Sequence, residues 1–346
     1  MAAIRLQPVT EPAAWTRAEM EADPSWRIAL EPPHIAALDR ALAAVKARGL
    51  PFHAVTRGDF PLPEWEGLLG RVRDILARGR GVALLRGLPV ERYSDADAHT
   101  LFWGIGTHLG EGVTQNAAAE LIAGVYDRGL PYGGDVRAYQ VSAELSMHCD
   151  NSDIVGLMCL RQAESGGATL LTSALAVYNR ILAERPEHLP LLHGGFVYDR
   201  KGEQGPGEPP VSGKIPLFAT AADGTVSARY ARSYITQAER RTGVPLRPEE
   251  REALDFFDRT ALDPALMLEF HLRPGDIEFA NNYTVLHARR AYTDHPDPAR
   301  RRMMLRLWLQ DDALRRVEDA QLRFGFTRFG NHGKTARELH GAASPA

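Results

Sequence analysis

ELSMHCDNSDIVGLMCL (144–160) moves from polar residues into an unbroken apolar run. A short run rich in Ile, Val and Leu after turn-forming Asn, Ser and Asp reads as a strand entering a sheet. Working downstream, ATLLTS (168–173) reads as a second strand beyond a Gly166-Gly167 turn. LEFHLRPGDIEFANN (268–282) reads as strand, Pro-Gly-Asp turn, strand, and RRMMLRLWL (301–309) as one more. Upstream, GVALLRGLP (81–89) is a short β-rich run. Helical periodicity marks residues 34–49, 64–80, 94–110 (with Ser94 as N-cap), 174–195 (broken by Pro186) and 247–261; the first fifty residues read as helical throughout. Short strands in the middle and C-terminal half with helices outside favour a β-sandwich or jelly-roll core over a parallel sheet.

The same opening stretch carries a metal-ligand pattern. Residues i and i+2 of a strand project from one face, so His148 and Asp150 can reach a single ion together. A later strand supplying His287 would complete two imidazoles and one carboxylate, the ligand set of non-haem Fe(II) sites with open coordination positions. HxD alone is weak, because the chain contains it twice. The second copy, His295-Pro-Asp297, sits in TDHPDPAR, where two prolines mark a solvated turn. Beyond it, Arg302, Met304, Arg306 and Trp308 fall on one face of a strand. Such an arginine pair either covers the solvent face of an edge strand or meets anions; bidentate pairing suits a dicarboxylate cosubstrate.

Bulk properties narrow the class. The 346 residues carry a formal charge of −3, 44% hydrophobic and 25% charged residues. That balance offers no polyelectrolyte argument for nucleic acid or an anionic membrane. Two cysteines, Cys149 and Cys159, make no disulfide framework, which fits a reducing cytoplasm. No apolar leader or membrane span is apparent, and no G-x-G-x-x-G or Walker motif supports nucleotide binding. The expected partner is a small molecule, with a homo-oligomer also compatible. The loop 201–215 holds four glycines and three prolines, with Lys201 and Lys214, and reads as a candidate lid. The tail beyond 325 reads as loosely packed.

Taken in order, His148-x-Asp150, SGGATLLTS (165–173), PGDIEFANNYTVLH (274–287) and RRMMLR (301–306) resemble the taurine dioxygenase-like (TauD/TfdA) family of Fe(II)/2-oxoglutarate-dependent oxygenases. With GVALLRGL the resemblance spans roughly residues 80–310. It implies a double-stranded β-helix (a jelly roll, clavaminate synthase-like) with flanking helices. The whole chain 1–346 would be one oxygenase domain: an N-terminal helical region 1–80, the core at about 80–310, and a C-terminal helix and tail 311–346. The resemblance makes His148, Asp150 and His287 the iron ligands. Arg302 would clamp the distal carboxylate of 2-oxoglutarate, with the Thr169 hydroxyl supporting it. Arg306 would face the keto-acid end or a substrate anion, and Asn282 would support the metal ligands.

The family pattern is broken at Cys149, inside HxD, and at Tyr283, where taurine dioxygenase has Arg; residues 111–147 show no match. Taurine is therefore not implied as substrate. The expected reaction is O2-dependent hydroxylation of an unactivated C–H of a small anionic or amino-acid-like substrate, with release of succinate and CO2; desaturation or oxidative cleavage is the variant. Gln115, Asn116 and Glu144 are candidate substrate contacts. A cupin-like Zn2+ hydrolase or isomerase could use the same three ligands, but it has no use for Thr169, Arg302 and Arg306 as a set.

Overall fold

The computed structural model describes residues 4–131, 133, 135–325 and 327–340. Its principal strands, in chain order, are β1 (Arg27–Ala29), β2 (Val82–Arg86), β3 (Glu111–Val113), β4 (Ile122–Val125), β5 (Leu145–His148), β6 (Ile154–Arg161), β7 (Thr169–Ser173), β8 (Leu268–Phe270), β9 (Ile277–Asn281), β10 (Val285–Arg289) and β11 (Met303–Gln310). They form two sheets. The larger runs β1-β2-β9-β6-β11-β3, with β4 also paired to β11, and the smaller runs β8-β7-β10-β5. Only the β1–β2 pairing in these sheets is parallel, so the large sheet is mixed and the small one antiparallel.

From β5 to β11 most connections cross between the sheets, and this is what builds the site. The Gly166-Gly167 turn joins β6 of the large sheet to β7 of the small one, rather than closing a hairpin. The Pro-Gly-Asp turn likewise carries the chain from β8 to β9 across sheets. That turn needs glycine: Gly275 has φ +84° and a Cβ there would collide with the Leu88 carbonyl oxygen.

Alternation along the strands then assigns faces. Val82, Leu84, Val155, Leu171, Val285 and Trp308 meet in the core between the sheets. Helices Pro32–Ala47, Glu66–Ala77 and Asp95–Gly106 cover the other face of the large sheet, while Ala174–Glu184 and Pro248–Ala261 cover the small one. Ser94 caps Asp95–Gly106 in a capping box with Asp97, as its sequence predicts.

Three expectations are corrected. The N-terminal region is not helical throughout: Arg27–Ala29 leaves the helical pattern to pair with β2 at the edge of the large sheet. The candidate lid is shorter, because Val211–Ile215 is a strand paired with Phe196–Asp199. The tail is not loose over its described residues 327–340, and 341–346 lie outside the described residues. Phe329 and His332 are buried, and Thr335 bridges to Val113 at the end of the large sheet. No helix among the described residues is long and apolar enough to cross a membrane.

Candidate metal centre

Strands β5 and β10 are neighbours in the small sheet, and their register sets His148 directly opposite His287. Asp150 follows two residues after the end of β5. Its carboxylate oxygens lie 3.8 Å from His148 Nε2 and 3.7 Å from His287 Nε2. One ligand atom from each residue falls within 4.8 Å of the others, close enough for all three to reach one ion at about 2.1 Å with modest adjustment. The set is held from outside. His148 Nδ1 lies 2.9 Å from the Ser146 carbonyl, which makes that nitrogen the N–H and leaves Nε2 as the lone-pair donor. The Asp150 backbone N–H donates to Asn282 Oδ1 at 3.0 Å, and Asn282 Nδ2 donates onward to Ser152 Oγ.

The opposite wall comes from β11. Trp308 Nε1 donates to Asp150 Oδ2 at 2.9 Å and Arg306 Nη1 lies 3.2 Å from Oδ1. Burial opposes ionisation of Asp150, but Arg306, the two histidines and the Trp308 N–H together outweigh it and hold the carboxyl at about 2. Burial, reinforced by His148, pushes the His287 imidazolium down to about 3; burial also lowers His148. The donor set is thus one carboxylate and two neutral imidazoles, the protonation states a divalent ion requires.

A second polar region lies further along the same interior faces. Arg289 follows His287 by two residues and pairs across the sheet with Thr169, so both point between the sheets. Arg302 packs its guanidinium 5.0 Å from the centre of the Tyr292 ring and donates from Nη1 to the Val125 carbonyl at 3.1 Å. Neither arginine forms an ion pair among the described residues. Arg289 Nε and Nη1 are buried without a hydrogen-bond partner. Burial, with Arg302 adding repulsion, lowers the Arg289 guanidinium to about 10. Two neighbouring buried cations whose side chains form no ion pair among the described residues are costly unless an anion joins them, and a dicarboxylic acid reaching from the metal fits that requirement.

The sequence profile of the taurine catabolism dioxygenase TauD, TfdA family matches residues 46–308. The chain belongs to this family. It is 32% identical to the FR-33289 synthase of Streptomyces rubellomurinus (strain ATCC 31215) over 314 residues, covering 89% of this chain and 92% of that protein. It is 28% identical to the taurine hydroxylase-like protein SAT17 of Stachybotrys chartarum (strain CBS 109288 / IBT 7711), covering 87% and 79% respectively. Its fold is similar to that of an asparagine oxygenase solved with Fe(II), 2S,3S-3-hydroxyasparagine and succinate. That match has a TM-score of 0.64 at 18% identity over 83% of this chain and 94% of the other. As a TauD/TfdA member the protein is an Fe(II)/2-oxoglutarate-dependent dioxygenase.

Within this TauD/TfdA site most expected residues converge. Arg302, Met304, Arg306 and Trp308 line the inside of the large sheet, which decides between the two readings of that strand. Gln115 is buried and fully engaged: its Oε1 accepts from Arg306 Nε at 2.8 Å, and its Nε2 donates to the Arg306 and Leu121 carbonyls. It therefore positions Arg306. Asn116 donates to Glu120 and lies 3.4 Å from the Tyr139 hydroxyl. Glu144 is exposed, 3.4 Å from Arg290, and does not line the cavity beside the triad. His295 and Asp297 sit in an exposed turn where Asp297 caps a short 3-10 helix. Sequence reasoning missed Arg289, although His287-x-Arg289 repeats the spacing that revealed His148-x-Asp150. It also missed Arg137, which lines the cavity from an irregular loop where no periodicity exists to mark it.

Proposed function

We propose that this dioxygenase hydroxylates an unactivated C–H of a small anionic or amino-acid-like molecule, with His148, Asp150 and His287 as the iron ligands. In this reading the two facing sheets are a double-stranded β-helix, the chain is one oxygenase unit, and it works in the cytoplasm. The observation that carries the reading is a His-Asp-His set, with Asp150 and His287 buried and His148 half-buried, beside two buried arginines, Arg289 and Arg302, whose side chains form no ion pair among the described residues.

When bound, iron and 2-oxoglutarate supply the oxidising chemistry, with O2 consumed and succinate and CO2 released. The residues supply position. His148, Asp150 and His287 would hold the ion, each with one ligand atom. Arg302 and Arg289, with Thr169 beside them, fix the far carboxylate of the cosubstrate and thereby its orientation. Trp308 and Arg306 hold Asp150 ionised and immobile. The apolar residues between the sheets exclude water from the reacting atoms.

The test is anaerobic addition of Fe(II) and then 2-oxoglutarate to the protein. A weak visible charge-transfer band is expected, followed in air by succinate release that rises with substrate. A hydrolase using Zn2+ at the same ligands would give neither signal.

A further inference from the structure

The cavity beside the triad does not reach the arginine assigned to the far carboxylate of the cosubstrate. At about 40 Å3 it has room for roughly three waters. Its walls include Arg306 and Trp308 but neither Arg302, Arg289 nor Thr169. Four residues of extended chain, roughly 13 Å, separate Arg306 from Arg302. A second cavity, of about 230 Å3, meets Arg302 from the outer surface. Its rim is exposed at Gln162, Glu164, Ser165 and His271, while Gly167 and Arg302, the latter 6% exposed, lie deeper.

The Gly166-Gly167 turn lines this outer cavity and leads, two residues on, into Thr169, which pairs with Arg289. Gly166 has φ +75° and is required by packing, because a Cβ there would stand 2.3 Å from the Ala291 carbonyl oxygen. Gly167 differs. It has φ +72°, but the nearest neighbours of a Cβ would be Tyr292 Cβ at 3.4 Å and Arg302 Nε at 3.6 Å. A side chain at this position would start over the Arg302 guanidinium, so glycine leaves that group uncovered by its own side chain. Unlike Arg289, Arg302 has no side-chain nitrogen that is both sealed from solvent and unpartnered.

We propose that this outer cavity is the port through which the dicarboxylate cosubstrate reaches Arg302 and through which its dicarboxylate product leaves, separate from the cavity beside the triad. The inference rests on the oxygenase reading above and deepens it. The outer cavity is the larger of the two and ends on the cation that the diacid must meet. Its deeper wall is glycine backbone, which presents no side chain to a passing carboxylate. Glu164 is the one carboxylate lining it among the described residues, and it stands on the exposed rim. A site open at both ends lets the diacid exchange while an organic molecule fills the triad cavity.

The test follows the 2-oxoglutarate charge-transfer band by stopped flow. Mixing the anaerobic Fe(II) protein with 2-oxoglutarate gives the association rate, and chasing the loaded protein with excess succinate gives the dissociation rate. Ser165→Trp plugs the rim and should lower both rates together by about tenfold, leaving their ratio, the dissociation constant, unchanged. Ser233→Trp, in the wall of the triad cavity, should leave both rates as they are. Glu164→Lys reverses a rim charge without filling the cavity, and so keeps the test open where Trp at 165 disturbs the turn. It should speed association at low ionic strength, with the gain lost in salt. The port is overturned by an unchanged association rate in Ser165→Trp, by an equal slowing in Ser233→Trp, or by native association in Glu164→Lys at low salt. Any of these with the band intact removes the port alone; absence of the band removes the oxygenase reading.

Discussion

Asp150 receives donors from Trp308 and Arg306 of the facing sheet, whereas Arg302 does not touch it, so substitutions at Trp308 and at Arg302 separate holding the metal from holding the cosubstrate. Trp308→Phe keeps the ring in the core but deletes the 2.9 Å bond to Asp150 Oδ2. Partners that orient a metal ligand are typically worth 10- to 100-fold in affinity, so Fe(II) titration should show a loss of about that size. Cosubstrate affinity, measured at saturating iron, should change little. Arg302→Gln should do the reverse. A charge-assisted hydrogen bond contributes about 1.5–3 kcal/mol, so the 2-oxoglutarate requirement should rise roughly 10- to 100-fold with iron binding intact; an unchanged requirement would sink the clamp assignment. At this scale the sequence was legible wherever a side chain lay on a strand with a partner at i+2. That rule brought out His148-x-Asp150 and the Arg302–Trp308 face. It applied equally to Arg289, whose neighbour Arg290 turns the other way and lies half-buried beside Glu144 and Glu269.

Among the elements, the C-terminal segment behaves least like its sequence. Gly-, His- and Lys-containing residues after 325 show no period, yet their backbone is tied to the segment following β3: Lys334 O accepts from Thr114 N at 2.9 Å, and Gly333 N donates to Thr114 O at 3.0 Å. His332 then reaches Glu203 on the loop between Phe196–Asp199 and Val211–Ile215. The Gly330 backbone N–H donates to Glu208 on the same loop. These are contacts between residues more than a hundred positions apart, invisible to any local pattern. Ending the chain at residue 325 should therefore cost about 3 kcal/mol, from burial of Phe329 and His332 and the lost hydrogen bonds. A urea titration would measure this. Limited proteolysis should open new cleavage at 200–210, and resistance of that loop equal to the full chain's would show that the tail does not restrain it.

Across the whole molecule, the interior between the sheets is polar around the metal triad and around Arg289 and Arg302, and it holds a further buried acid that the pattern IEFAN conceals. Glu278 shares the inward face of β9 with Ala280 and lies between Leu84 and Leu157 of the neighbouring strands. It is 2% exposed, and its Oε2 has no hydrogen-bond partner. Burial, with the charge of Asp276 adding to it, raises the carboxyl from 4.5 to about 8. In the unfolded chain the group releases its proton near the ordinary value, whereas in the folded chain it holds it until about 8. Between those pH values the native state binds the extra proton, so stability is full below about 4.5 and declines as pH rises toward 8. Glu278→Gln keeps the shape and removes the titration. Its unfolding free energy relative to the native chain should be near level at pH 4 and increasingly favourable toward pH 8.5. A gain there of about 1–3 kcal/mol is the scale of a buried polar group relieved of its charge. A difference between the two proteins that stays constant from pH 4 to 8.5 would mean that Glu278 already ionises in the folded state, and that the space between the sheets admits more water at that end than its packing implies.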